Sequence, residues 1–334
     1  MTKLSSFSIG ALAGLTLITT AACGGVDAET TANDSIGATA QALTGSPLSN
    51  AREFVWKAKD LIPKKLGEPG GEQFEAGLEL MPDSTHLCVL SGMSGNFAGA
   101  DEYVSITRGG GFWSLYGRAN QKDVEVHALC YERSRFRFPA GVTLKETQLK
   151  SAQVKSGSRA GPLLATGPIL NEKTVDLGTG RAASFLWGLG GEFDGYSDEA
   201  SIEQGDALSD SFLYVKNGSK WAQDTLALGG GLIRSDRGSL YTSFNGQPTL
   251  PNGVAGEVSA RSGEQALLEA SGKGLCFLTS VTGNFGSASD SVRLTFYNVY
   301  RDFGFWQLEV KGSPDLSASA SCIDYDQTFV PSVE

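Results

Sequence analysis

Cys88-Val-Leu-Ser-Gly-Met-Ser-Gly-Asn-Phe97 is the stretch that decides the fold, because the chain writes it three times. It returns as Ser184-Phe-Leu-Trp-Gly-Leu-Gly-Gly-Glu-Phe193 and as Cys276-Phe-Leu-Thr-Ser-Val-Thr-Gly-Asn-Phe285. The first and third copies agree at five of ten positions, and the middle copy shares four with each. The equivalent glycines Gly95, Gly191 and Gly283 lie 96 and 92 residues apart. Self-similarity at a near-constant period is the mark of a repeated domain. Downstream, Phe112-Trp113-Ser-Leu115 answers Phe305-Trp306-Gln-Leu308, and Ala128-Leu-Cys130-Tyr131 answers Ala320-Ser-Cys322-Ile323. The middle unit diverges, with Phe212-Leu-Tyr-Val215 in the aromatic place. Three units of roughly 95 residues then fill 50–140, 141–236 and 237–334.

Within a unit the period is two. Val124, Val126, Ala128 and Cys130 share one face, opposite Asp123, Glu125 and His127. Trp306, Leu308 and Val310 alternate with Gln307, Glu309 and Lys311, and Val292, Leu294 and Phe296 with Arg293, Thr295 and Tyr297. This is the pattern of half-buried antiparallel strands. Turn signals separate them at Gly109-Gly-Gly111, Asn217-Gly218, Asn245-Gly246 and Asn252-Gly253. The expected fold is therefore all-β: three tandem antiparallel, sandwich-like repeats of about five strands each, the first strand being a run such as Thr174–Leu177 or Gln265–Leu268. One short helix is expected before them. Asn50 would cap it with Glu53 three residues on, Phe54, Val55, Ala58, Leu61 and Ile62 fall on one helical face, and Pro63 stops it.

Cysteine usage follows the repeats. Cys88 and Cys130 bracket the strands of the first unit, Cys276 and Cys322 those of the third, and the middle unit lacks both together. Four cysteines allow three connectivities, but only pairing within a unit explains the paired absence. Closing a loop of that size is worth roughly 4 kcal/mol in the chain-entropy model. A metal site is the rival reading, and it lacks both C-x-x-C spacing and nearby histidine.

The fifth cysteine stands apart. Lys3 precedes an uncharged stretch from Leu4 to Ala22 with its apolar centre at Ile9, Leu12, Leu15, Leu17 and Ile18, a pattern that reads as an export signal over residues 1–22. It ends Thr20-Ala21-Ala22-Cys23-Gly24, which resembles the lipobox of bacterial lipoproteins, although Thr20 replaces the usual leucine. The resemblance covers these residues alone and implies a diacylglycerol on the Cys23 thiol, with acyl chains worth ~0.8 kcal/mol per buried methylene as the membrane anchor. The folded part resembles no characterised family. Residues 23–49, rich in Ala, Thr, Ser and Gly and without an aromatic, read as a tether with too little apolar area to order itself.

The 334 residues are 40% hydrophobic and 19% charged, with a formal charge of -10 and pI near 4.9. The composition is that of a folded protein whose surface repels phosphate backbones, so nucleic-acid binding is not expected. Neither G-x-x-x-x-G-K-[ST], H-E-x-x-H nor G-x-S-x-G occurs, and two histidines cannot build a His-rich metal cage.

The acidic turns after each repeated Phe are the remaining candidates: Asp101 and Glu102, Asp194 with Asp198 and Glu199, and Asp290. Such loops could hold calcium through several carboxylate oxygens. The preferred reading is a turn in which Asp accepts backbone hydrogen bonds, since the third unit offers one carboxylate and no D-x-D-x-D-G run exists. Trp113 and Trp306 read as core, Phe112 and Phe305 as half-exposed on the opposite face or buried where units pack together, and His127 as a lone solvated histidine. Arg133-Ser-Arg135-Phe-Arg137-Phe138 reads as a charged edge strand or a basic face for an anionic polysaccharide. No catalytic residue or firm metal ligand is assigned, and no cofactor is expected. The expectation is an exported, lipid-anchored, non-enzymatic repeat protein at the outer membrane or cell surface, otherwise secreted or periplasmic. Its partners would be the membrane, through the N-terminal lipid, and a polysaccharide or surface protein. The alternative is an exported hydrolase with a carboxylate-based site in one repeat.

Overall fold

A computed structural model describes residues 40–42, 51–65, 72–97, 99, 101–154, 171–178, 182–204, 211–217, 225–237, 240, 243–244, 247–248, 257–270, 274–300 and 303–326. The export signal, Cys23 and all of the tether except Ala40–Ala42 lie outside these residues, as do the Asn245-Gly246 and Asn252-Gly253 pairs.

Each repeat contributes six principal strands. The first supplies β1 (Arg52–Lys57), β2 (Glu72–Pro82), β3 (His86–Ser94), β4 (Tyr103–Gly109), β5 (Phe112–Ala119) and β6 (Glu125–Glu132). The second supplies β7 (Lys150–Val154), β8 (Asn171–Gly178), β9 (Ala183–Gly191), β10 (Glu199–Gln204), β11 (Ser211–Asn217) and β12 (Thr225–Arg234). The third supplies β13 (Val258–Arg261), β14 (Gln265–Ala270), β15 (Gly274–Thr282), β16 (Ser291–Tyr300), β17 (Phe303–Lys311) and β18 (Ser317–Asp324). Period-two patterning thus produces the expected all-β chain. Trp113, Trp306, Leu308 and Val310 are fully buried, and Phe112 and Phe305 are half-buried on the other face.

The repeats are interlocked rather than strung as beads. The first sheet runs β1-β6-β3-β16-β17-β14, the second β7-β12-β9-β4-β5-β2, and the third β8-β11-β10-β15-β18-β13. Among the described residues each of these three sheets takes three of its principal strands from one repeat and three from another, in a closed cycle. The seams are short: Ser291–Arg293 pairs with Gly92–Ser94, Tyr103–Ser105 with Gly188–Gly190, and Glu199–Ser201 with Ser280–Thr282. The central strands β3, β9 and β15 carry the repeated sequence and pack on one another, one from each sheet, around a pseudo-threefold axis. Apolar residues from all three sheets join one continuous core. β7 lies beside β8 and β13 beside β14, so neighbouring sheets cover each other's open edges.

Both disulfides are within a repeat. Cys88 on β3 faces Cys130 on β6, and Cys276 on β15 faces Cys322 on β18, each pair in direct register with Cα atoms 4.0 Å apart. The same register in the second repeat sets Ser184 opposite Gly231, where an added Cβ would run into the Ala183 carbonyl.

The expected N-terminal helix is not formed. Residues 52–57 are β1, paired with β6 along its whole length, and only a 3-10 turn at Ala58–Asp60 follows. Phe54, Trp56 and Ala58 point into the core at alternate positions, with the Trp56 ring lying on bare backbone at Gly117. β-favouring Phe, Val and Trp gain more from completing a sheet edge than from one isolated turn. Ala40–Ala42, within the stretch read as tether, pairs with Arg52–Phe54 as a further short strand.

Candidate functional site

The three acidic turns meet around the pseudo-threefold axis, and their backbone closes two rings of hydrogen bonds. Phe97 N–H donates to the Phe285 carbonyl (2.8 Å), Phe285 to Phe193 (2.7 Å) and Phe193 to Phe97 (3.3 Å). Gly95, Gly191 and Gly283 donate to the carbonyls of Asp290, Glu102 and Asp198 at 2.9, 2.7 and 2.8 Å. These glycines sit at φ of 98, 90 and 104°, a region side chains rarely enter.

The carboxylates of the same turns are spent inside. Glu102, Asp198 and Asp290 are 1, 0 and 1% exposed. They accept the N–H of Gly99 (2.6 Å), Gly195 (2.7 Å) and Ser287 (2.9 Å) respectively. Glu102 also accepts Asn120 N–H (2.5 Å), and Asp290 accepts the Ser313 N–H (2.7 Å) and hydroxyl. This is the backbone-accepting turn preferred from sequence. Asp194 and Glu199 are half-buried beside it and Asp101 is exposed. Among the described residues no group of three or more His, Cys, Asp or Glu is arranged to hold a metal ion.

His127 is not the solvated residue its alternating pattern implied. It is 6% exposed and its Nδ1 lies 2.9 Å from Oε1 of Glu53, which is equally buried. Arg293 crosses from the third repeat over the bare backbone at Gly92 and donates to both Glu53 oxygens, at 2.9 and 3.2 Å. Burial pushes the Glu53 carboxyl up, but His127 and Arg293 outweigh it and hold the group below the usual glutamate range. Sequence hides this because Glu53 reads there as the third residue of a capped helix. The stabilisation is complete above the ordinary glutamate pKa and is lost as pH falls through the lowered folded value. Glu53→Gln should therefore cost about 1–3 kcal/mol at neutral pH. Thermal melts of the two proteins should converge in acid, and a gap that stays constant with pH would refute the assignment.

The basic run is no edge strand either. Arg133–Arg135 is a 3-10 turn, Arg133 donates to the carbonyls of Asp83 and His86 and pairs with Glu146, and Phe136 packs on Tyr325 with ring centroids 5.1 Å apart. Phe136 closes the core at this end, Arg135 lies 5.4 Å over the Tyr325 ring, and Arg137 is exposed.

The outer face of the second sheet gathers what sequence reasoning missed. One row across it reads Leu228, Gly188, Ser105, Tyr116, Gly77, and the next reads Leu226, Gly190, Tyr103, Arg118, Glu75. Tyr103 and Tyr116 are half-buried and stacked, with centroids 5.1 Å apart and planes at 14°. The Arg118 guanidinium lies 5.2 Å over the Tyr103 ring and donates to Glu75 at 3.0 Å, and Lys64 reaches the other Glu75 oxygen at 3.3 Å. Gln73 and Asn120 fix the Asp101 carboxylate from its two sides, at 2.8 and 2.9 Å. Asp101 is the one residue predicted from the acidic turns that joins this cluster. The Arg118 bond and charge hold the Glu75 carboxyl low, and burial pushes the Tyr103 phenol up.

The other two sheets vary the same register. In the third sheet the row is Ser319, Ser280, Ser201, Tyr214, Thr174, and Tyr214 stands among Glu172, Glu199 and Glu203. Burial and the bond to Glu172 push its phenol up to about 12. In the first sheet the row is His127, Gly92, Arg293, Glu309, Gln265, with no tyrosine. The signal in sequence is the alternation Tyr103-Val-Ser105 and Tyr116-Gly-Arg118, which puts both tyrosines on the face opposite the core residues Val104 and Leu115. Comparison of the chain with protein-family models, with curated proteins and with solved structures finds no match.

Proposed function

We propose that this is an exported, lipid-anchored binding module that presents a rigid three-sided body to a surface polymer. The observation that carries the reading is the division of labour in the site residues. The buried carboxylates of the axial turns bind backbone, and the ordered aromatic and polar side chains lie on a broad sheet face. The hydrolase alternative would draw on Asp101, Glu102, Asp198 and Glu199, of which Glu102 and Asp198 are buried in the framework, Asp101 accepts from Gln73 and Asn120, and Glu199 accepts from Ser201. Two disulfides are compatible with an oxidising compartment. Immobilised glycans and cell-wall polymers should show saturable binding of the full chain, and a hydrolase screen on the same polymers should show no turnover. Turnover abolished by Glu102→Gln in a protein that remains folded would overturn the reading.

The anchor is tested separately. The mature protein should enter the detergent phase on Triton X-114 separation, and Cys23→Ala should move it to the aqueous phase. Equal aqueous partitioning of both would reject lipidation of Cys23.

A further inference from the structure

We infer that the outer face of the second sheet is the polymer site, and that the polymer is a neutral, hydroxyl-rich polysaccharide. This rests on the binding-module reading and gives it a ligand class. Four observations converge. Tyr103 and Tyr116, both half-buried, form a stacked aromatic pair on the outer face with Arg118 over the Tyr103 ring, and the aromatic carbon such a pair leaves exposed takes up the apolar C–H face of a sugar ring. Beside the rings Gly188 and Gly190 are buried and let β9 pack tightly against the tyrosine strand: a Cβ on Gly190 would lie 2.5 Å from the Tyr103 Cβ, and one on Gly188 2.4 Å from the Val104 carbonyl oxygen, so the seam fixes where Tyr103 stands.

The polar groups around the rings are held in place by each other before any ligand arrives: Arg118 by Glu75, and Asp101 by Gln73. A carboxylate has more acceptor sites than one donor fills, and a guanidinium has five donors. Paired groups that retain capacity suit hydroxyls, which both donate and accept. Their charges also cancel. Arg118 and Lys64 balance Glu75 and Asp101, on a protein of formal charge -10 that repels anionic polymers at long range. The equivalent rows differ: Tyr214 is surrounded by acids, and Glu309 replaces the tyrosine in the third repeat, where the stacked pair Tyr297 and Phe305 stands further along the sheet without an arginine–carboxylate pair in register beside it among the described residues.

The full chain in detergent micelles should be titrated against neutral probes (laminarin, dextran and mannan) and anionic ones (alginate and heparin). Binding to at least one neutral probe is expected. It should weaken at least tenfold in Tyr103→Ala/Tyr116→Ala, and be largely retained in Tyr103→Phe/Tyr116→Phe and in the control Tyr214→Ala. Matching thermal melts would show that the alanine variant is folded; if it is not, Arg118→Ala, expected to lose affinity severalfold, replaces it. Unchanged affinity in the folded tyrosine or arginine variants would overturn this site while leaving the binding-module reading intact. A preference for the anionic probes would overturn the ligand class, and absence of binding to every neutral probe would overturn the inference.

Discussion

Deleting the third repeat should leave no folded two-repeat protein. Removal of residues 257–326 takes β16, β17 and β14 from the first sheet and β15, β18 and β13 from the third. It also breaks both axial rings, in which Phe285 and Gly283 are links. Phe185, which packs on Phe277 with centroids 4.8 Å apart, and Tyr131, beside Trp306, would face water. Exposing even four large buried side chains costs about 6–12 kcal/mol, comparable with the whole stability of a domain. The truncated chain should be insoluble or digested at once by protease. The intact chain should unfold in one transition seen alike by tryptophan fluorescence and circular dichroism. A soluble, protease-resistant two-repeat fragment, or separate transitions for the repeats, would show that the interlock does not govern stability. Linear repeat arrays behave otherwise, since each unit there touches only its neighbours.

This interlock was the part sequence could not supply. Period two fixed which residues of β5, β6, β16 and β17 face the core, and paired absence of cysteines fixed the connectivity, because both are local or arithmetic signals. Which strand lies beside which is not local. The seams are three register pairs long, and pairs such as Leu189 with Val104, Ala200 with Val281 and Val292 with Met93 are ones that any two strands of this chain could make. Two further errors have one origin. Phe54, Val55, Ala58, Leu61 and Ile62 fit a helical face, yet Phe54, Trp56 and Ala58 also fit alternation, and only the partner strand β6 decides between them. Once β1 is a strand, Glu53 lies diagonally across from His127, and the buried acid–histidine pair follows. The Tyr103 platform was invisible for a related reason: its residues come from four strands and two repeats, and each alone looks like an ordinary outward position.

The axial carboxylates give the second large effect. Asp290→Ala should destabilise the protein by about 2–5 kcal/mol, because each buried donor left without its acceptor costs roughly 1–3 kcal/mol. The donors are the Ser287 and Ser313 N–H groups and the Ser313 hydroxyl, in a pocket 1% exposed. Asp290→Asn should fare little better, since its amide turns donors toward donors. The damage should also spread, because the Asp290 carbonyl accepts the Gly95 N–H of another repeat and the turn it shapes carries Phe285 into the axial ring. Hydrogen exchange should then accelerate at Gly95 and Phe97 as well as at Ser287. Asp315, exposed in the neighbouring turn, is the control, and Asp315→Ala should stay within about 0.5 kcal/mol of the parent. If Asp290→Ala melted like the parent, these carboxylates would not be framework, and their availability for chemistry in the hydrolase reading would return.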